Sequence, residues 1–537
     1  MVVILLLIVI AITAAMLTIY WKNKNIIYYP NSDIVAYKGD LMHDMPHGYG
    51  KQYYITGVLW YEGSWEHGMR NGYGKSYYPN GQLEYEGEWL NDKKNGKGKL
   101  YRQNGTLYFE GHWKSDVING EGKSYYPNGN IEYEGMWKDG KWHGYGKGYW
   151  KNGTLGYEGQ LAFGLPHGKG VAYYPNGMIA YEGDWEMGKK TGYGKLYDSN
   201  GNIYYEGNLV NGIMHGTGIY YFPATDEFQR AKYEGNFSNG KFNGYGQLIW
   251  KNGSQYSGEW LNGKRHGKGT FTWPNGNKYT GQWENDVMSG EGKIYNSDGK
   301  LIYQGEFKNG SKSGKGTLYN VKNQIIYSGG WENDVYSGYG ELFSNNGKLL
   351  YKGYWARGRY NGHGTLYNEK GSILYTGQFR DGYYHGEGKE YWLNGKLKYE
   401  GEFANGMYHG KGKYYNEKGE LIYDGEWQQG LKHGTGKFIW EDGKYYEGDW
   451  FMDQMAGKGK LFFANGVIKY EGEWLNGKYD GEGCLYNEKG KLIYKGSFKE
   501  GLYHGFGELY DEDGILVYKG KWEYGEKTEN HTHLQSP

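Results

Sequence analysis

From Tyr37 to Tyr518, apolar and polar residues alternate in short runs that recur twenty-one times. In one such run Leu107, Phe109, Gly111 and Trp113 lie two apart and share one face of a strand, leaving Tyr108, Glu110 and His112 on the other. Counting each unit from its leading aromatic as position 0, that residue is Tyr in every unit except Phe109, and position 2 is always Gly. Position 4 is Trp, Phe or Leu, and positions 11 and 13 are Gly in every unit long enough to contain them. The pattern predicts one strand ending at the Trp. A second strand, such as 97–102, follows the glycines and leads to an Asn-Gly or Pro-Asn-Gly turn, residues that tolerate positive φ at a hairpin tip. Glycine beside a ring weakens a strand but leaves a flat site over which a neighbouring aromatic can fold.

Unit length sharpens this reading. Most units span 24 residues, three span 23 and one spans 28. In the short units Trp250, Trp273 and Trp440 move one step toward the turn, and Tyr256, Tyr279 and Tyr446 follow on its far side. Paired movement of this kind predicts cross-strand partners, since the facing of a strand alternates with period two. The fold class expected is all-β: an elongated single-layer antiparallel meander of tandem hairpins. About forty-two strands at roughly 4.8 Å would extend about 200 Å.

The flanks break the pattern. Residues 1–20, MVVILLLIVIAITAAMLTIY, carry no charged side chain and as a helix would reach about 30 Å, enough to span a bilayer core. The run lacks an initial basic residue and is followed by Lys22 and Lys24, so it reads as an uncleaved single-pass anchor rather than a cleaved signal, with the repeats on the cytoplasmic side. Residues 21–36 form a short junction holding the partial unit from Ile26 to Ser32. The repeats occupy 37–523, and 524–537 is a polar tail expected to be disordered.

Composition narrows the function classes. With 97 glycines, 62 tyrosines, 21 tryptophans and a mean hydropathy of −0.88, the apolar material is mostly aromatic. Sixty-one basic and 61 acidic residues leave no cationic excess for nucleic acid, and the same balance weakens electrostatic attachment of the repeats to lipid. Cys484 is the only cysteine, which excludes an intrachain disulfide and a cysteine-based zinc site.

Units such as YSGEWLNGKRHGKGTFTWPNG, Tyr256 to Gly276, closely resemble MORN repeats, and the 24-residue units also resemble the related repeats of bacterial antitoxin-type proteins. The resemblance covers about nine-tenths of the chain. It implies an elongated antiparallel sheet acting as a scaffold, dimerisation module, membrane tether or phospholipid binder, with no cofactor and no chemistry of its own. Some members carry a lipid kinase domain after the repeats; with the repeats continuing to Tyr518 and beyond, none is expected in this sequence.

The candidate chemistry is weak beside that reading. Nine histidines, His385, His409 and His433 among them, hold position 10, where a metal stripe is conceivable. Asn71, Ser313 and Asp480 fill the same position, as a tolerant turn site would. Recurrent Glu62, Glu86 and Glu134 with Lys75, Lys99 and Lys123 read as solvated cross-strand ion pairs rather than acid–base pairs, because no copy is distinguished. The sequons at Asn104, Asn152 and Asn252 follow from the turn sequence itself, and the enlarged tip 223–230 breaks the regular edge. The expectation is a non-enzymatic, membrane-anchored scaffold that binds a protein partner, including another copy of itself. The candidate binding-face aromatics are Tyr61, Trp65, Tyr85, Trp89, Phe109, Trp113, Tyr133 and Trp137. Alternatives are phospholipid or membrane-contact binding, and antitoxin-type binding of a toxin or peptide.

Overall fold

The structure is a computed structural model that describes residues 20–23 and 25–528. The proposed anchor lies outside these residues except for Tyr20, which opens the strand Tyr20–Asn23. Among the described residues there are 44 strands and no helix long and apolar enough to cross a membrane. The chain falls into two units, one ending at Arg265 and the other beginning at His266. Within each, strands pair antiparallel with their neighbours in chain order, forming an open meander.

One repeat shows why the sequence folds this way. Leu83–Leu90 and Lys93–Tyr101 form a hairpin whose tip residues Asn91 and Asp92 have φ of 50° and 66°. A two-residue turn with both φ positive matches the twist of its strands. The second strand therefore starts four residues before the 97–102 run expected from sequence. The longer turn follows, as at Pro79-Asn80-Gly81, where Tyr78 and Gln82 close the loop and Asn80 Oδ1 accepts from the Gln82 amide at 3.0 Å.

The expected pairing of aromatics across that turn is corrected by the register. Tyr85 lies opposite Ser76, and Tyr77 lies opposite Leu83, so Glu84 is bulged out. In a 23-residue unit Leu248 opposes Tyr256 and Ile249 opposes Gln255 with nothing skipped, and Trp250 ends the strand and closes the turn, its amide donating to Ser254 O at 2.9 Å. The missing residue is the bulge. Deleting it keeps the leading Tyr on its face without any ring pairing across the turn.

The core is the aromatic face of the sheet. In repeat after repeat the leading Tyr lies over the glycine at its own position 13: a Cβ on Gly74 would collide with Tyr61 Cζ and Cε2, and one on Gly98 with the same atoms of Tyr85. Its hydroxyl donates to the backbone three residues on, as Tyr61 to Ser64 O at 3.0 Å. Each position-4 Trp packs edge-on between two such rings, Trp89 lying 5.4 Å from Tyr61 and 5.2 Å from Tyr85. Its indole donates backward, Trp89 Nε1 to Gly74 O at 3.4 Å, a bond that Trp113 and Trp522 lack. Such offset and edge contacts suit the ring quadrupoles. Position 9 then closes the face from outside, with Arg70 over Trp89 at 4.2 Å and Trp142 stacked on Tyr133 at 4.6 Å. That lid is how a single layer buries rings completely.

Two further lines tie repeat to repeat. Tyr54, Tyr78 and Tyr126 donate through their hydroxyls to the carbonyls of Tyr77, Tyr101 and Tyr149, at 2.7–2.8 Å. At the turn tips Asn80, Asn128 and Asn152 donate to carbonyls one repeat on, at 2.8–3.0 Å.

Candidate functional site

The candidate binding aromatics are the core just described. Tyr61, Tyr85, Phe109 and Tyr133 are 0% exposed, and Trp65, Trp89, Trp113 and Trp137 are 4–6% exposed. Rings so enclosed have little surface of their own left for a partner.

The opposite face of the sheet is built by the residues between the buried ones. Position 1 is commonly Glu and position 14 commonly Lys, and the register sets each directly opposite the next. Lys51, Glu62, Lys75, Glu86, Lys99, Glu110, Lys123, Glu134 and Lys147 form one unbroken alternating row. Ion pairs close along it at 3.1 Å for Lys75–Glu86, 3.4 Å for Lys99–Glu110 and 3.1 Å for Lys123–Glu134. Opposite charges thus face each other across successive strands of the row. In the second unit the row resumes with Lys389–Glu400 at 2.9 Å and Lys460–Glu471 at 3.1 Å. Cys484 takes a lysine place in it, opposite both Glu471 and Lys495. Between residues 247 and 376 the row is mostly neutral, with hydroxyl contacts such as Thr270 to Thr280 at 3.0 Å.

Tyrosines complete the row. Tyr73 and Tyr145, both more than half exposed, donate to Glu86 and Glu158 at 2.7 Å, while Tyr125 and Tyr149 donate to Glu110 and Glu134 at 2.6 and 2.7 Å. These tyrosine bonds first, with the adjacent lysines, hold Glu86, Glu110 and Glu134 below the ordinary glutamate value. A base working near neutrality needs the opposite shift. Among the described residues no three His, Cys, Asp or Glu side chains gather as a metal site. His385, His409 and His433 each face a different strand partner, Gln378, Glu402 and Glu426. Nor is position 10 the strained one: the left-handed residue is the glycine after it, as Gly72 at φ 88°, which forms the bulge between Trp65 and Gly63.

The row lies in grooves floored by glycine backbone. In the first unit a groove of about 970 Å³ runs from Tyr73 to Lys147, with His112 and Met136 on its wall. In the second a groove of about 870 Å³ runs from Tyr339 to Asp424. Both use the same positions of the repeat. The enlarged tip 223–230 is ordered by a separate device, Asp226 paired to Arg230 at 2.7 Å, with the guanidinium over Phe222 at 4.2 Å and Phe228 68% exposed beside it.

The depressed carboxylates fix the direction of a pH effect. A folded value below the unfolded one adds stability that is complete above the ordinary glutamate value of 4.5 and is lost as the pH falls below it. The melting midpoint is expected to be level from about pH 7 to 5 and to fall between about pH 5 and 3, in thermal scans followed by near-ultraviolet circular dichroism. A level profile down to pH 3 contradicts the ladder's contribution.

Comparison with known families returns the MORN repeat for nineteen segments, from 37–58 through 85–107, 256–278 and 446–468 to 494–515, and a MORN repeat variant at 384–405. A comparison with curated proteins returned no match.

Proposed function

Because the chain belongs to the MORN repeat family, whose repeats are generally associated with protein or membrane-lipid binding, we propose that it is a non-enzymatic scaffold whose charged, glycine-floored face holds a protein partner. The observation that carries this reading is the recurrence of one open groove in both units, built from the same repeat positions and lined by exposed tyrosine, lysine and glutamate. Exposed tyrosines over a polar floor suit protein contact, offering ring area and a hydroxyl at low entropic cost. Each carboxylate in the row is already satisfied by a lysine and often a tyrosine. The same repetition supplies holding surface without a distinguished reactive copy.

In this reading the apolar segment 1–20 tethers the protein as a single-pass anchor, with the repeats on the cytoplasmic side. Phospholipid contact is the second reading, and hairpin tips such as Phe163, Leu165 and Met187, 68%, 41% and 48% exposed, favour it.

The two separate in one experiment. Chain lacking residues 1–20 is incubated with cell lysate and, in parallel, with vesicles of anionic and zwitterionic lipid. Capture of a protein is expected, weakened several-fold by Lys99→Gln with Lys123→Gln, which removes two cations from the first groove. Sedimentation with vesicles, lost on Phe163→Ser and unaffected by the lysine changes, overturns the protein-binding reading.

A further inference from the structure

The aromatic face of the second unit carries stacked tyrosines at position 9, at Tyr479 and Tyr503 and in one longer run. Position 9 is a mixture of Arg, Lys, Pro, Ile, Met and single aromatics through the first unit, but in the second it is Tyr four times in succession, at Tyr336, Tyr360, Tyr384 and Tyr408. Each lies flat on the leading tyrosine of its repeat: Tyr336 on Tyr327 at 3.8 Å and 14°, Tyr360 on Tyr351 at 3.9 Å and 20°, Tyr384 on Tyr375 at 3.8 Å and 3°, Tyr408 on Tyr399 at 4.0 Å and 10°. The inner ring in turn covers glycine backbone, as Tyr327 covers Gly340. Position-4 rings stand edge-on at both sides of each outer ring, Trp331 at 4.8 Å and Trp355 at 5.1 Å from Tyr336. The outer rings are half-buried, and with one face stacked and both flanks filled, the side left open is the face turned away from the sheet.

This makes a row of parallel ring faces, one per repeat. Two strands separate successive rings, so their spacing is about 9.6 Å. A polyproline II helix completes one turn in three residues of about 3.1 Å, or about 9.3 Å. One proline per turn can therefore rest on each successive ring. The hydroxyls of Tyr336, Tyr360 and Tyr384 have no hydrogen-bond partner among the described residues, whereas Tyr408 donates to Glu390 at 2.7 Å. Unspent donors at that spacing suit a chain whose solvated carbonyls accept and which need offer no amide. Sheet twist would carry a straight ligand off the row after a few repeats, and the row is only a few repeats long.

We propose that Tyr336, Tyr360, Tyr384 and Tyr408 form a docking platform for a proline-rich polyproline II segment of a partner protein. A second copy of this chain does not fit the role: its nine prolines include no pair spaced three apart. Nucleic acid is disfavoured by the absence of any cationic excess. The platform lies on the opposite side of the sheet from the charged row and stands independently of that row's role.

The test titrates the full chain with a dodecaproline peptide, using a Gly-Ser dodecapeptide as the flexible control, and follows binding by calorimetry. Lysine already occupies position 9 at Lys312 and Lys432, so Tyr360→Lys with Tyr384→Lys preserves a side chain the repeat accepts. Saturable binding of dodecaproline alone is expected, weakened about tenfold or more by the double substitution. Phe242→Lys in the first unit and Lys99→Gln with Lys123→Gln should leave it unchanged. Absence of saturable binding to the folded chain, or binding that survives the double tyrosine substitution, overturns the proposal. Failure here leaves protein capture by the charged face intact, so the two readings fall separately.

Discussion

Tyr85→Ala is expected to destabilise the repeats around residue 85 by about 3–5 kcal/mol, the range for removing a large buried aromatic. The ring is wholly enclosed, covers Gly98, meets Trp89 at 5.2 Å and Trp113 at 5.5 Å, and donates to Glu88 O at 3.0 Å. Alanine removes a layer that two indoles lean on and exposes the glycine backbone beneath. Because each repeat in such an array leans only on its neighbours, the loss should be local. Hydrogen exchange should quicken across residues 74–113 while distant repeats keep their protection. Tyr73→Ala, on a residue 55% exposed, should cost less than about 0.5 kcal/mol. Equal effects at Tyr73 and Tyr85 would mean that the two faces are not distinguished as described.

Much of this was legible in the sequence, for a specific reason. Strand facing has period two, so Leu107, Phe109, Gly111 and Trp113 announce a shared face wherever they recur, and fixed spacing announces repetition. Placing a ring over a bare glycine was also legible, since glycine in a strand beside aromatics leaves a flat site over which a ring can fold. The register across the longer turn was not. A bulge at Glu84 changes which residues face each other without changing composition, so a shift of two aromatics together looks like pairing when it is the deletion of the bulged residue. What covers the aromatic face was hidden for a related reason. Alternation tells which side chains share a face but not what lies on top of them, and the cover comes from position 9, beyond the bulge at Gly72 that breaks the count. Four successive tyrosines at that position, from Tyr336 to Tyr408, are the readable sign of a stacked cover.

The second large effect is expected at Gly146. A Cβ there falls within the ring of Tyr133, against Oη, Cζ and Cε2, and the ring cannot retreat, because Trp142 is stacked on its outer side at 4.6 Å and Trp137 stands edge-on at 5.3 Å. The glycine does not need an unusual φ, so the conflict is steric rather than conformational. Gly146→Ala should destabilise its hairpins by about 1–3 kcal/mol or more, as overpacking of a closed core does. Two residues along the same strand and on the same face, Gly148 has nothing nearer to an added Cβ than 3.9 Å. There alanine should be neutral or stabilising by about 0.5–1 kcal/mol, since glycine in a strand carries an entropic penalty.

This protein's core is a zipper of tyrosine rings laid on bare glycine. The zipper is tested most directly by native-state hydrogen exchange on Gly146→Ala, Gly148→Ala and the double variant Gly146→Ala with Tyr133→Ala. Protection over residues 131–161 should fall for Gly146→Ala and hold or rise for Gly148→Ala. The double variant should be no worse than Tyr133→Ala alone, because the added methyl then has room. Equal losses at Gly146 and Gly148, or a double variant whose losses simply add, would contradict the account.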